Sequence, residues 1–541
     1  MTTTLAPSET PGSQAPGPPV VGVVRARRLR SSRVLLAASV VVAVVLIVPL
    51  VFLLIEADGA GISSVWHLIW RPLTAQLLWN TVRLTFVVTI LCAIIGTLSA
   101  FCVERTDLPG RRIWAVVVVV PFAIPDFVVG FGWASLSTWV QGFRGAVLVM
   151  TLAVYPLVYL PVAASLRSAD PSLEEVSRSL GHGRVKTFFK VTLGQARGAI
   201  LGGCVLVSLV ILAEYGAFEI LTYRTFTTEI FDEFRVFQVP IACALSLVLI
   251  VLSLIILGAE VVLRGKGRVV RTGQFAQRET RRHQLGKAKI PVLLGFTVLV
   301  ILALGVPVGA SIYWIFEGGS ASITGASSVS LFSAAWHTAA YSGVAALLAT
   351  LLALPLALLS VRHSSRLSRL LERCSYLVLA MPGVIIAFTL SYFSVRYADA
   401  FEYQSAAMLV VAYAILFFPL ALVGVRASVT YAPVSLEEVA KSLGVKNWKV
   451  FLRVTLPLVG PGIAAAFCLV FLACVTELTA TLILVPTGVQ TLATQFWNYQ
   501  GNLSYGQAAP FALVMILIAA GPSYVLARYF DRRPAGGTAQ A

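Results

Sequence analysis

At 541 residues a soluble chain would divide into three or four domains, yet 58% of this one is hydrophobic and only 12% charged, which excludes the soluble globular class. The formal charge of +17 raises the question of a nucleic-acid partner, and its distribution excludes one. With the N-terminus inside and the spans alternating, every Lys and Arg except Arg71, Arg83, Arg144, Arg224, Arg235 and Arg396 falls at a cytoplasmic end or loop, the positive-inside pattern of a membrane protein.

Taken in chain order, residues 1–33 are rich in Pro, Ser, Thr and Gly and carry Arg25, Arg27, Arg28, Arg30 and Arg33 before the first apolar run. This reads as a disordered, basic cytoplasmic tail ahead of a start-transfer helix. A cleaved signal peptide is the alternative; against it, Val34 to Ile55 is long enough to span and lacks a small-residue cleavage site in the right place. At about 20 apolar residues per span, about twelve spans follow, near 34–55, 78–101, 112–134, 144–166, 199–221, 240–263, 290–316, 335–360, 374–394, 404–427, 462–485 and 507–527. Both termini are then expected in the cytoplasm. The seven cysteines are scattered through these spans with no C-x-x-C pair and read as small core fillers, not as a disulfide framework or metal site.

Two polar loops share a pattern at an offset of 263 residues: SLEEVSRSLGHGRVKTFFKVTLGQARGAI over 172–200 and SLEEVAKSLGVKNWKVFLRVTLPLVGPGI over 435–463, identical at fourteen of twenty-nine positions. Weaker echoes extend the match. Asn80-Thr81 pairs with His337-Thr338 and Ala123-Ile124-Pro125 with Ala380-Met381-Pro382 at an offset of 257, while Pro156 pairs with Pro419 and Glu214 with Glu477 at 263. The fold class expected is therefore an all-α polytopic membrane protein, two parallel six-helix repeats related by an axis along the membrane normal. The halves fall at 34–263 and 290–528, joined by a solvated basic cytoplasmic linker over 264–289 and followed by a cytoplasmic tail over 529–541.

In each loop Ser172-x-x-Glu175 and Ser435-x-x-Glu438 fit a capping box opening a short helix. Leu173, Val176 and Leu180, and likewise Leu436, Val439 and Leu443, form a narrow apolar stripe at helical spacing. Gly181 and Gly444 stand where a left-handed residue ends the helix. One such loop could simply lie on the bilayer surface. Two copies that keep the glycine, Lys186 with Lys449, and Val-Thr-Leu in register project twice from one face and point to a two-fold partner.

At these residues the sequence resembles the EAA motif of ABC importer permeases: Glu438-Val439-Ala440, then Gly444, then Val454-Thr455-Leu456-Pro457, and in the first copy Glu175-Val176-Ser177, Gly181 and Val191-Thr192-Leu193-Gly194. Ser177 and Gly194 depart from the pattern, Gly194 standing where proline is expected. The resemblance implies a type I importer permease in a bacterial cell membrane, with coupling helices over 172–181 and 435–444. Their coupling residues would be Glu174, Glu175, Val176, Leu180 and Gly181, and Glu437, Glu438, Val439, Ala440, Leu443 and Gly444. It further implies two ATPase subunits on the cytoplasmic side holding the ATP and Mg2+, an extracytoplasmic substrate-binding protein, lipid around the spans, and no cofactor on this chain. A fused chain of this length, with Ala213-Glu214-Tyr215-Gly216-Ala217-Phe218-Glu219 and Pro121-Phe-Ala-Ile-Pro125, is similar to the ferric iron permeases, with thiamine permeases as near relatives. Thiamine, polyamines and inorganic anions stay open as substrates, and a secondary transporter of six plus six helices is the rival architecture; it would need no paired docking loops.

No G-x-x-x-x-G-K-[ST] loop, H-E-x-x-H or nucleophile elbow occurs in the sequence, so the chain is not expected to be an enzyme and ATP hydrolysis falls to a separate subunit. Ionisable groups in apolar spans are expensive. Asp126, Glu214 with its neighbour Tyr215, and Glu477 are therefore candidates for a pathway favouring cations, or else hydrogen-bond to neighbouring helices to fix packing. Pro121, Pro125, Pro156, Pro161, Pro382 and Pro419 mark expected bends.

Overall fold

The computed structural model describes residues 33–59, 66–67, 69–170, 172–264, 283–318, 328–363, 365–397 and 405–531. Residues 1–32 of the expected tail, 265–282 of the expected linker and 532–541 at the C-terminus lie outside them. Among the described residues the chain is helical, with one isolated bridge pairing Thr106 and His283. Among the described residues nine helices are long and apolar enough to cross a membrane, and counting each of three bent helix pairs as one span brings the number to twelve, as the hydropathy pattern predicts.

The bent pairs are Arg111–Ala123 with Asp126–Ala134, Arg366–Ala380 with Gly383–Arg396, and Ala406–Leu416 with Phe418–Thr430, turned by 88°, 101° and 55°. Pro125, Pro382 and Pro419 stand at or beside these breaks, because proline supplies no amide donor and clashes with the preceding turn. The other expected bends are softer. Pro156 opens the helix Pro156–Ser168 and Pro161 lies inside it, the whole stretch from Gly142 counting as one span, and Pro121 sits in the short turn Val120–Ala123. The fifth spans run differently from the pattern read along the sequence. They are the helices Leu193–Ala213 and Leu456–Val475; the first is capped by Glu214 and the second by Thr476, next to Glu477, so both glutamates stand at helix breaks rather than within the spans.

The two repeats interlock. One apolar core joins Leu46, Leu53 and Leu249 of the first half to Ala349, Leu356, Phe388 and Leu422 of the second. The other joins Val128, Phe131 and Val158 to Phe296, Ala303, Phe511 and Met515. The first helix, Arg33–Gly59, thus packs against the second repeat, and Glu56 accepts a hydrogen bond from Arg396 at 2.7 Å. The helix Val306–Glu317 packs against the first repeat in return; a Cβ on Gly132 would lie 2.6 Å from Pro307 Cα. The repeat boundary read from the sequence is therefore not a packing boundary.

Within the first repeat, Val158 is held between two glycines. A Cβ on Gly96 would come within 2.8 Å of Val158 Cβ and one on Gly203 within 2.8 Å of Val158 Cα, the close small-residue packing on which membrane helices rely. Gly203→Leu is expected to destabilise the chain by about 1–3 kcal/mol through overpacking, read as a lowered unfolding temperature in detergent; the open Gly198, with nothing near its Cβ position, is the tolerant control.

Candidate functional site: the paired loops and the buried carboxylates

Each of the two repeated loops holds a short helix, Ser172–Ser179 in the first repeat and Val434–Ser442 in the second. The expected capping boxes are not formed. Ser172 is already the first helical residue and its amide donates to Asp170 Oδ1 at 2.9 Å, holding that exposed carboxyl below its ordinary value. The second helix starts one residue before Ser435, after Pro433, with no side-chain cap. The ends match the expectation. Gly181 and Gly444 have φ of 79° and 80°, and three equivalent bonds close each helix: Leu180 to Val176, Gly181 to Arg178 and His182 to Ser177, against Leu443 to Val439, Gly444 to Lys441 and Val445 to Ala440. A Cβ at either glycine would meet open space, so backbone handedness alone requires glycine there.

The apolar stripe faces outward on both helices, with Leu180 71% and Leu443 77% exposed and Leu173, Val176, Leu436 and Val439 exposed beside them. Glu175 and Glu438 share this outer surface. Glu174 and Glu437 do not, although they stand with the coupling residues in the sequence pattern. Glu174 is 6% exposed and accepts from Thr192 Oγ1 at 2.9 Å. Glu437 accepts from Thr455 Oγ1 at 3.2 Å and from Arg362 Nη2 at 3.1 Å. Glu174 and Glu437 are anchors that tie the loop helix to the start of the next span.

Arg105 and Arg362 complete the anchors, at the same offset of 257 that relates the bent pairs. Arg105 Nη2 donates to Ala169 O at 3.3 Å and Arg362 Nη2 to Ala432 O at 3.0 Å. Sequence reasoning missed both arginines, though their matching offset was a signal. It missed His283 as well, because the linker was read as solvated. The described end of that segment, His283 to Lys289, is docked. Asp107 Oδ1 accepts from Leu285 N at 2.8 Å and Asp107 Oδ2 lies 2.8 Å from Lys289 Nζ, and these bonds from Lys289 and Leu285 hold the Asp107 carboxyl below its ordinary value. His283 Nε2 lies 3.4 Å from Glu174 Oε2. Burial pushes the Glu174 carboxyl up, but bonds from His283 and Thr192 and the charge of Arg105 more than offset this and leave it below its ordinary value.

The departures from the motif are absorbed locally. Ser177 Oγ lies 3.2 Å from His182 Nδ1 and 3.1 Å from Thr187 Oγ1; the second loop places Ala440, Val445 and Val450 at the same three positions, a polar trio exchanged for an apolar one. Gly194 leaves the backbone unchanged, since a π-helical turn precedes the span in both loops, at Phe188–Thr192 and Phe451–Thr455.

On the membrane side, three carboxylates converge. Asp126 opens the helix after the bend at Pro125. Glu214 Oε1 accepts from Ala217 N at 2.7 Å and Glu477 Oε1 from Ala480 N at 3.0 Å, each capping the short helix beyond the break. Gly216 permits the approach of the two halves, for a Cβ there would lie 2.5 Å from Leu478 Cδ2 and 2.9 Å from Phe127 Cβ. The charges of Asp126, Glu214 and Glu477 bear on one another, and no basic side chain among the described residues offsets them. Gly383, the counterpart of Asp126 at offset 257, puts its Cα where a Cβ would be 2.9 Å from Glu477 Oε1, so the cluster carries a third acid on one side alone. Tyr215 does not join it; the ring is buried against Phe231 and Trp497. Beside Glu477, Thr338, Tyr413 and Thr481 line a space of about 10 Å³, room for about one water. Among the described residues no three His, Cys, Asp or Glu are placed to ligate a metal ion.

The family model for binding-protein-dependent transport system inner membrane components matches twice, over residues 92–264 and 345–536. The chain belongs to that family. Among the permease's relatives, the Fe(3+)-transport system permease protein FbpB 2 of Haemophilus influenzae is 39% identical over 90% of this chain and 96% of its own length. The ferric transport system permease protein FbpB of Actinobacillus pleuropneumoniae is 23% identical over 86% of this chain and 73% of its own. The sulfate transport system permease protein CysT of Salmonella typhimurium is 28% identical over 40% of this chain and 86% of its own, the size of one repeat. The permease is thus a multi-pass inner-membrane subunit of an ABC importer, with both repeats in one chain.

Proposed function

We propose that this permease forms the route for ferric iron across the membrane, driven by two ATPase subunits that seat on the helices Ser172–Ser179 and Val434–Ser442. An extracytoplasmic binding protein delivers the iron at the opposite face, and both termini lie in the cytoplasm. The observation that carries the coupling reading is the pair of matched apolar stripes left bare on two glycine-ended helices. An exposed Leu-Val-Leu stripe is costly in water, and about 25 cal/mol is gained per Å² of apolar surface covered. Glu175 and Glu438 beside each stripe supply the charge that a basic cleft would recognise.

The substrate reading rests on the relative named for Fe(3+) transport that matches along nearly its whole length, and on the uncompensated acids Asp126, Glu214 and Glu477, which favour a cation over sulfate. The acids do not form a ligand sphere, so the iron is passed and not held. Closure of the ATPases moves the two loop helices, and the interlocked halves rock to open the space beside Glu477.

The test is ATP-dependent uptake of radiolabelled ferric iron, thiamine and sulfate by proteoliposomes holding the permease, its ATPase and its binding protein. Iron alone is expected to accumulate, and Glu175→Ala with Glu438→Ala to reduce uptake at least tenfold. Uptake driven by an ion gradient without the ATPase would overturn the coupling reading, and thiamine or sulfate uptake the substrate reading.

A further inference from the structure

The two loop helices are equivalent in sequence, yet they are held differently. In the second repeat one arginine does everything: Arg362 reaches both Ala432 O and Glu437 Oε1, at 3.0 and 3.1 Å. In the first repeat Arg105 reaches only Ala169 O, and its Nε and Nη1 are buried without a partner among the described residues. Glu174, which the symmetry would give to Arg105, turns its second oxygen to His283 instead.

His283 belongs to the segment between the halves, and it is seated by more than this one contact. Its Nδ1 lies 2.8 Å from Arg178 Nη2, so the imidazole accepts from Arg178 on one nitrogen and donates to Glu174 with the other, a tautomer fixed by its neighbours. Its ring stacks on Phe101 at 5.9 Å. Its backbone is paired on both sides, His283 N donating to Arg105 O at 2.8 Å and Asp107 N to His283 O at 3.1 Å. Lys441, the counterpart of Arg178, is exposed.

We propose that His283 is a positioning residue: residues 283–289 form a strap from the second half that holds the first loop helix through Glu174 and Arg178, and Glu174 passes to Arg105 when the strap lets go. Both arrangements are visible in one molecule, the strapped one at Glu174 and the strap-free one at Glu437. The charge of Arg105 already bears on Glu174, and its unused donors are what the transferred carboxylate would satisfy. The strap makes the two ATPase seats unequal and links the position of the first to the start of the second half, the helix Lys289–Val300. A two-state element of this kind is what coupling between sites requires.

The inference rests on the coupling reading of the loops, and the experiment separates the two. The assembled transporter in nanodiscs is compared as wild type, His283→Ala, His283→Gln, Glu174→Gln, Glu437→Gln and the doubles, by backbone hydrogen exchange at residues 107, 283 and 285 and by ATP hydrolysis stimulated by loaded binding protein. His283→Ala is expected to speed exchange at these amides at least tenfold. Its effect on hydrolysis should be absent in the Glu174→Gln background and undiminished in the Glu437→Gln background. His283→Gln, whose amide can both donate and accept, should restore most of the wild-type behaviour. Unchanged exchange, or equal additivity with Glu174→Gln and Glu437→Gln, would overturn the strap. Intact ATP-driven transport in the Glu175 and Glu438 double variant would instead overturn the coupling reading, whatever the exchange shows.

Discussion

Replacing Arg362 with alanine is expected to cost about 3–5 kcal/mol, the penalty for stranding one member of a buried ion pair, and to abolish coupling at the second loop. Arg362 and Glu437 are both largely buried, and the same guanidinium holds the Ala432 carbonyl at the turn before the loop helix. Its loss frees that turn and leaves Glu437 with Thr455 as its remaining hydrogen-bond donor. Arg105→Ala should cost less, because Glu174 keeps both Thr192 and His283. Unfolding temperature in detergent and ATP-driven uptake in proteoliposomes measure the pair. Equal losses at Arg105 and Arg362 would show that the two anchors are interchangeable, contrary to the geometry.

The second large effect is expected at Glu477 and Glu214. Glutamine keeps an oxygen that can accept from the Ala480 or Ala217 amide, so Glu→Gln removes charge while retaining the cap. Alanine removes both, adding the 0.5–2 kcal/mol typical of a lost helix cap. If the acids stabilise a passing cation, each Glu→Gln should lower iron uptake at least tenfold, about 1.4 kcal/mol, with little change in unfolding temperature. Wild-type uptake in Glu214→Gln with Glu477→Gln would reduce both residues to helix caps, the packing alternative that their sequence positions also allow.

The spans, the duplication and the loop helices were legible because each is written locally: a run of apolar residues, a repeated string, a glycine after an apolar stripe. The stripe also fixed the outer face of each loop helix. What it did not reveal was that Glu174, one residue before Glu175, points inward; of the partners that turn it, Thr192 lies eighteen residues away and His283 farther still. The interlocking of the halves was illegible for a related reason. Hydropathy reports that Arg33–Gly59 is apolar, not which repeat it lies against, and the contact of Gly132 with Pro307 joins residues with no pattern in common. Glu214 and Glu477 were found by being charged among apolar neighbours, but the helix break at each depends on the carboxylate capping the next turn. The docked end of the linker was hidden by composition, since basic residues without apolar periodicity look the same whether solvated or paired with Asp107 and Glu174.

The π-helical turns at Phe188–Thr192 and Phe451–Thr455 set a phase. A π turn is an α-helix carrying one extra residue, and one residue is about 100° of rotation. Each loop helix is therefore clocked against its span by a single residue count, kept identical in both repeats. Deleting Phe189 or Leu452 would leave composition and hydropathy almost untouched, yet swing the anchoring threonine away from its glutamate and aim the apolar stripe elsewhere. Along this stretch it is the number of residues, more than their identity, that sets how each loop helix is turned against the span behind it.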